Sequence, residues 1–229
     1  SISFSYEQHY QAVRRSHRFG QSETVRNDIV IADTEAVIWN VINEKSKKHD
    51  EMKRRMADAM RGARRRIVIL AWDFDRRMRL QPDTHPDLTI QDFLIQLLDA
   101  NPALTVHLLL WRNSIWYAGD TDLSLLIGGE WLNHPRMHLG LDSDHPVGAA
   151  HHEKIVCIDD KLAFVGGMDL TQRRWDRRDH APADLDRTAA EGVAYPPVHD
   201  LQIMLEVPVA AALCRLAGER WRRAGLGDL

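Results

Sequence analysis

The segment His151–Asp159 reads HHEKIVCID and contains the pattern His-x-Lys-x4-Asp, formed by His152, Lys154 and Asp159. The apolar residues after Lys154 predict a buried strand, and the Asp-Asp-Lys that follows predicts a turn into a returning strand over Leu162–Val165. Residues two apart on a strand point to the same face. The pattern therefore predicts that the side chains of His152 and Lys154 project together.

These residue types suit chemistry on a phosphodiester. A histidine can attack phosphorus and form a covalent intermediate, and a lysine is a compact point charge that suits a phosphate oxygen. A carboxylate beside an imidazole fixes its tautomer and stabilises the imidazolium form. Each residue alone is more often structural, but the spacing, followed by Gly166-Gly167, favours the catalytic interpretation of His152, Lys154 and Asp159. The predicted chemistry requires no metal and no other cofactor.

The pattern resembles the HKD motif of the phospholipase D superfamily, and the resemblance extends over about residues 50–222. Further segments look like its bacterial and eukaryotic-like lipase branch: Trp72–Asp75 (WDFD), Leu141–Pro146 (LDSDHP), Gly166–Leu170 (GGMDL), Arg174–Asp176 (RWD) and Tyr195–Asp200 (YPPVHD). Val198 departs from the branch, which usually has tryptophan there. Smaller members of the superfamily have serine and asparagine at the positions of Gly167 and Asp169, so their hydroxyl and amide contacts are absent here.

The resemblance implies an α/β fold, a phospholipase D-like half with a central mixed β-sheet flanked by helices. It predicts an N-terminal arm over residues 1–33 and one catalytic half-domain over residues 34–229. It also implies cleavage of the headgroup of phosphatidyl lipids through a phosphohistidine intermediate. Hydrolysis would give phosphatidic acid, and transfer to another alcohol would be a transphosphatidylation.

The resemblance also implies a role for each motif residue. His152 would be either the nucleophile or the general acid of a two-histidine mechanism, Lys154 would bind phosphoryl oxygens, and Asp159 would support the histidine pair. Substrate contacts are expected from four more residues: Gly167, Asp169, Trp72 and His199. Trp72 ends a predicted strand, where sites of the family lie, and His199 stands beside Asp200.

Only one His-x-Lys-x4-Asp pattern occurs in the chain, whereas phospholipase D enzymes carry two that meet at a pseudo-twofold axis. We expect the chain to be the N-terminal half of a two-motif enzyme, so that the second half is a partner. A homodimer with one motif per chain is the alternative. Two other classes stay open, a superfamily nuclease acting as a homodimer and a non-catalytic half that binds lipid or protein.

Composition favours a soluble globular protein. The 229 residues are 44% hydrophobic and 28% charged, and the net charge of −3 provides no whole-chain attraction to nucleic acid or anionic lipid. The resemblance implies a phospholipid substrate at a membrane surface as the partner, and nucleic acid is disfavoured. No apolar run approaches the ~18 residues of a spanning helix, and the resemblance implies peripheral membrane association, with a secreted effector as one setting. Cys157 and Cys214 lie in apolar runs, which predicts buried thiols.

Apolar periodicity predicts alternating strands and helices, which is typical of an α/β layer architecture. The predicted strands are Ile67–Trp72, Leu104–Trp111, the motif hairpin and Leu201–Val207. The predicted helices are Asp50–Arg66, with Asp50 as N-cap, Leu88–Asp99, Asp122–Trp131 and Val209–Arg223. Arg173–Ala194 has no clear periodicity and is predicted to be a long loop.

Overall fold

The structure is a computed structural model, and it describes residues 52–111, 130–146, 149–176, 183–198 and 200–229, which belong to one compact unit, Met52–Leu229. The arm predicted over residues 1–33, the N-cap at Asp50 and most of the helix predicted over Asp122–Trp131 lie outside these ranges. The domain boundary at residue 33 therefore stays a prediction.

A six-stranded mixed sheet forms the centre of the unit. The strands are β1 (Arg66–Ala71), β2 (Thr105–Trp111), β3 (Met137–Asp142), β4 (Ile155–Ile158), β5 (Leu162–Gly166) and β6 (Gln202–Glu206). Their order in the sheet is β3-β2-β1-β4-β5-β6. The first three strands run parallel to one another, whereas β4 pairs antiparallel to β1, β5 to β4, and β6 to β5. The predicted α/β fold with a mixed sheet is confirmed.

Helices cover both faces of this sheet. The described helices are α1 (residues 52–61), α2 (Ile90–Ala100) and α3 (Val209–Arg223), with a short 3-10 helix at Glu130–Asn133. Alternate residues of β1 enter two separate clusters, Ile67 with α1 and α2 on one side and Val68 with α3 on the other. Both faces of β1 are therefore apolar, as expected for a strand buried on both sides. No helix in the described part of the chain is long and apolar enough to cross a membrane.

The apolar pattern does not predict strand β3, which contains His138 and Gly140. Glycine is depleted in strands because it contributes no side chain to packing. Here the glycine allows close packing, since a Cβ at residue 140 would lie 2.1 Å from Leu226 Cδ1 and 3.0 Å from Leu109 Cδ1, and these side chains would have to shift. The chain beyond α3 thus occupies the space that a side chain would need.

A three-residue connection, Asp159–Lys161, joins β4 to β5. Asp159 and Asp160 have φ values of 52° and 61°, and the N–H of Lys161 donates to the carbonyl of Ile158 at 3.0 Å. Two consecutive positive φ values closed by this hydrogen bond define a type I′ turn, whose twist matches that of a hairpin. Aspartate tolerates the left-handed conformation better than most residues, which explains its use at both positions.

The two cysteines face each other between the sheet and α3. Cys157 of β4 and Cys214 of α3 are both free and buried, as predicted. A hydrogen bond with Cys214, together with burial, raises the pKa of the Cys157 thiol well above its ordinary value. Cys157 therefore behaves as a small apolar side chain in the second core cluster.

His107 of β2 is held on the α3 face between aromatic neighbours. Its ring stacks on His138 of β3 with centroids 4.7 Å apart, and it meets Trp221 of α3 edge-on at 5.0 Å. Its Nε2 lies 3.2 Å from the hydroxyl of Thr105. Burial, with smaller contributions from His138 and Arg66, lowers the pKa of His107 to about 4.

His107 should make the fold sensitive to acid. Because its pKa falls from 6.5 to about 4 on folding, the unfolded chain holds more protons between these values. The free energy of unfolding should therefore fall as the pH drops from 6.5 towards 4. In His107→Phe this dependence should be less steep, which urea denaturation at pH 4.5 and pH 7 would measure. An equal slope for the two proteins would contradict the assignment.

Candidate active site

One edge of the sheet collects the polar residues of the motif. Strand β1 ends next to Trp72, β4 begins after Lys154, and β5 ends at Gly166. Because β4 runs antiparallel to both β1 and β5, its amino end lies beside their carboxyl ends. The topology thus brings together residues that are 97 positions apart in sequence, since the N–H of Trp72 donates to the Asp169 carboxylate at 3.0 Å.

Lys154 is held as a buried cation at this edge. Its side chain is 6% exposed, and its Nζ lies 3.0 Å from Oδ2 of Asp169, which is equally buried. The second oxygen of Asp169 accepts the backbone N–H groups of Trp72 at 3.0 Å and Asp73 at 3.3 Å. A buried ion pair is tolerated only where further hydrogen bonds satisfy its atoms, which these two donors do. The ammonium group is therefore fixed relative to β1, β4 and β5.

His152 lies beside the same tryptophan but is exposed to solvent. Its ring meets the ring of Trp72 edge-on with centroids 4.7 Å apart, and Lys154 Nζ lies 5.7 Å from the centre of that ring. The prediction that both residues stand on the strand was wrong, because β4 begins only at Ile155. The β1–β4 ladder ends at the pair Leu70–Ile155, so His152 has no strand partner there. The shared contact with Trp72 brings the two side chains together instead.

The two glycines after β5 allow a second segment to approach the site closely. A Cβ on Gly166 would lie 2.1 Å from the carbonyl oxygen of Leu201, and one on Gly167 would lie 2.1 Å from Oδ1 of Asp200. Contacts this short do not occur, so residue 166 must be glycine as long as β6 enters here, whereas at residue 167 the side chain of Asp200 would have to move. Gly167 thus makes room for a carboxylate rather than for a backbone.

Asp159 lies at the other end of β4 from His152 and Lys154. Its carboxylate accepts the backbone N–H groups of Arg64, Arg65 and Arg66 at 2.7, 2.8 and 3.0 Å. Although burial acts in the opposite direction, these hydrogen bonds lower the pKa of Asp159. The predicted contact between this carboxylate and an imidazole is therefore not the arrangement in this fold, because four strand residues separate them. Asp159 instead anchors the start of β1 to the β4–β5 turn.

Two further carboxylates lie near the Lys154–Asp169 pair. The sequence patterns did not single out Asp73 as a site residue, whereas Asp200 stands beside His199 as its predicted partner at the site. Asp73 accepts the hydroxyl of Thr171 at 2.8 Å, and Asp200 accepts the N–H of Leu201 at 2.8 Å. Burial is the main cause that raises the pKa of both carboxyls, whereas the nearby charge of Arg174 lowers it. A polar residue directly after a buried strand is the signal that could have identified Asp73.

His199, predicted to contact substrate, lies outside the described residues. Its neighbour Asp200 is described, and the charge of Lys154 lowers the pKa of Asp200 in part. Within the described ranges, no group of three or more His, Cys, Asp or Glu residues is arranged to hold a metal ion. The site is therefore described by a cation, an exposed histidine and a set of carboxylates.

Comparison with known proteins agrees with the motif. No protein-family model matches the chain. The chain is 29% identical over 182 residues to rat phospholipase D1, which corresponds to 75% of this chain and 15% of the relative. It is 28% identical over 148 residues to bovine phospholipase D2, or 62% of this chain and 15% of the relative.

These similarities support the resemblance of the chain to the phospholipase D superfamily. It spans about 15% of the length of the curated relatives that it matches. Among solved structures it is similar to the phospholipase D family member Nuc from Salmonella typhimurium, with 15% identity and a TM-score of 0.46. That likeness covers 73% of this chain and 84% of Nuc.

Asp159 should contribute to stability through its three backbone hydrogen bonds. Asp159→Asn should lower the free energy of unfolding at pH 7 by about 1–2 kcal/mol, since hydrogen bonds to a partly exposed charge are lost. The folded-state pKa of Asp159 lies below its ordinary value of 3.8, so the stabilisation is present above that pH and is lost as the pH falls through the lower value. Urea denaturation at pH 7 and at pH 3 would measure the difference. A deficit of the same size at both values would contradict the role.

The glycines should differ in their tolerance of a methyl group. Gly166→Ala meets backbone atoms of Leu201 and should lose about 1–3 kcal/mol of stability, as overpacking typically does. Gly167→Ala meets the side chain of Asp200, which can rotate away, so its loss should be smaller. Gly218→Ala in helix α3 is the matched control, because the nearest atom to its Cβ would be 3.7 Å away. Equal losses in Gly166→Ala and Gly167→Ala would contradict this distinction.

Proposed function

We propose that this chain is the catalytic half of a phospholipase D-type phosphodiesterase that cleaves the headgroup of phosphatidyl lipids. The observation that supports this most is the pairing of an exposed histidine with a buried, oriented ammonium group. His152 is exposed and can reach a substrate, and both the His152 ring and the Lys154 ammonium group lie beside the ring of Trp72. A fixed cation beside a nucleophile suits a phosphorane-like transition state, in which charge grows on the phosphoryl oxygens.

The proposed reaction proceeds in two steps. One histidine attacks phosphorus, so that a P–N bond forms while the P–O bond to the headgroup breaks. A second histidine donates a proton to the departing alkoxide. This second histidine then takes a proton from water. The water oxygen attacks phosphorus, the P–N bond breaks, and phosphatidic acid and the free first histidine are formed. An alcohol in place of water gives a transphosphatidylation product. His152 acts as one of the two histidines.

The charge balance of the site supports the need for a second motif-bearing half. Lys154 pairs with Asp169 and its charge reaches Asp200, while Asp73 lies near Asp169, and Arg174 is the further cation whose charge reaches Asp73 and Asp200. This set is net negative when all the groups are ionised, and it would repel a phosphodiester anion. A second His-x-Lys unit, from another polypeptide half or from a second copy of the chain, would add a lysine and the required proton donor.

Lipid is favoured over nucleic acid as the substrate. The chain has a formal net charge of −3, whereas nucleic-acid binding relies on neutralisation of phosphates by lysine and arginine. The curated relatives are named phospholipases D. We therefore propose that the protein acts at a membrane surface as a peripheral protein, and a secreted effector is one setting for that activity.

His152 should be indispensable for turnover. With phosphatidylcholine vesicles and the chain at a concentration where analytical ultracentrifugation shows a dimer, we expect release of phosphatidic acid, measured by mass spectrometry. His152→Ala should lower the rate by at least about 10³-fold, as removal of a nucleophile typically does. His85→Ala, an exposed histidine in the loop before α2, is the matched control and should retain wild-type activity.

A plasmid-cleavage assay on the same samples separates the two superfamily activities. Cleavage of DNA with no release of phosphatidic acid would replace the lipase by the nuclease. A dimer that turns over neither substrate would contradict a second copy of the chain as the source of the second motif. A His152→Ala variant that retains more than a few per cent of the activity would contradict the proposal.

A further inference from the structure

A ring of contacts runs from the catalytic histidine through four neighbouring side chains and returns to it along the backbone. We name it the His–Trp circuit, and its members are His152, Trp72, Trp111, His145 and His151. The Trp72 ring meets His152 at 4.7 Å and stacks on Trp111 at 4.1 Å with an interplanar angle of 28°. Trp111 Nε1 donates to His145 Nε2 at 3.0 Å, and His145 meets His151 edge-on at 5.4 Å. Because His151 and His152 are adjacent in sequence, the contacts close on themselves.

Both ring nitrogens of His145 are committed within this circuit. The indole N–H of Trp111 can only donate, so Nε2 of His145 must accept and carry no proton. Nδ1 of His145 lies 3.0 Å from the carbonyl of Pro146, which can only accept, so Nδ1 carries the proton. The contacts therefore select one neutral tautomer of His145 and fix its ring against His151.

His151 is anchored to the sheet more firmly than its catalytic neighbour. Its Nε2 lies 3.0 Å from the carbonyl of Asp144 and 3.6 Å from Oδ1 of Asp142, and its Nδ1 lies 3.9 Å from the Glu153 carboxylate. Asp142 is the last residue of β3 and is 2% exposed. It is held in turn by an ion pair with Arg220 of α3 and by the N–H of Asp144 at 3.0 Å.

We propose that His151 is a positioning residue that holds the backbone before His152 so that the catalytic imidazole faces the Lys154 ammonium. The proposal rests on the proposed function of His152. The side chain of His152 is exposed, and within the described part of the chain its ring contacts Trp72. An exposed side chain keeps its rotamer freedom unless its backbone and neighbours restrict it. His151 restricts the backbone next to His152, and Trp72 restricts the ring of His152. The ion pair between Asp142 and Arg220 holds in place the carboxylate that His151 contacts.

The expected consequence concerns the rate of reaction rather than the binding of substrate. A misplacement of about 1 Å at a reacting group can lower the rate by about 10²-fold, because the geometry of attack is lost. Substrate binding through Lys154 does not involve His151, so KM should change little. A residue needed only for folding would instead lower the amount of native protein without changing kcat per folded molecule.

Kinetics of three variants test this role. His151→Leu should lower kcat by about 10- to 100-fold with KM within about twofold of wild type, normalised to folded protein by circular dichroism. His151→Gln should recover most of kcat, because its amide N–H can donate to the Asp144 carbonyl as Nε2 of histidine does. His85→Leu is the matched control and should leave both constants unchanged. Equal kcat in His151→Leu and wild type, or failure of His151→Gln to exceed His151→Leu, would overturn the proposal.

Imidazole NMR tests the same proposal without any substrate. In long-range ¹H–¹⁵N spectra the wild-type chain should show His145 as the Nδ1–H tautomer, with the His152 signals identified by their loss in His152→Ala. In His151→Leu the His152 ring signals should shift, whereas in His85→Leu they should stay in place. Unchanged His152 signals in His151→Leu would overturn the positioning role. The spectra report the circuit even if the wild-type chain is inactive without its second half, so failure of this proposal is distinguishable from failure of the proposed function.

Discussion

The buried ion pair between Lys154 and Asp169 is the contact on which the geometry of the site depends. A lysine with 6% exposure cannot remain charged at low cost without a partner, and the Asp169 carboxylate is one that is itself satisfied by two backbone N–H groups. The pair ties the residue before β4 to the segment after β5 and to the end of β1. Loss of either member would leave an uncompensated buried charge, so three elements of the sheet edge are coupled through one contact.

This arrangement also shapes the electrostatics of the edge. Asp169 neutralises the ammonium group in the free site, and burial raises the pKa of two neighbouring carboxyls, those of Asp73 and Asp200. In the proposed function a phosphodiester would compete with Asp169 for Lys154, and a facing half would supply further positive charge. The proposed second motif would thus contribute charge as well as a proton donor.

The two faces of the sheet play different parts in supporting the site. Helices α1 and α2 cover one face with a large apolar cluster, while α3 covers the other with a smaller one. Helix α3 also reaches the functional edge, because Arg220 in its last turn pairs with Asp142 at the end of β3. The packing of this helix is therefore linked to the circuit around His152, and the same helix contacts His107 through Trp221.

Much of the architecture was predictable from local patterns. The helix predicted over Val209–Arg223 is present with the same bounds, and the strands around Ile67, Leu104 and Ile155 formed near their predicted positions, because apolar periodicity reflects burial directly. The apolar pattern did not predict strand β3, since Gly140 interrupts it. The lack of a side chain at Gly140 allows close packing in the folded chain. The motif pattern likewise predicted that His152 and Lys154 act together, and the structure brings both to Trp72.

By itself the sequence determined the order of most elements, the turn at Asp159 and Asp160 and the grouping of His152 with Lys154. Only the tertiary structure decided that Asp159 binds backbone N–H groups at the start of β1 rather than the histidine. It also decided that Asp169 pairs with Lys154, and that the Asp142–Arg220 ion pair lies beside His151. The physical reason is that local patterns record which side of an element is buried. Contacts between residues as far apart as Asp142 and Arg220 depend on strand order and register, which arise only when the sheet assembles.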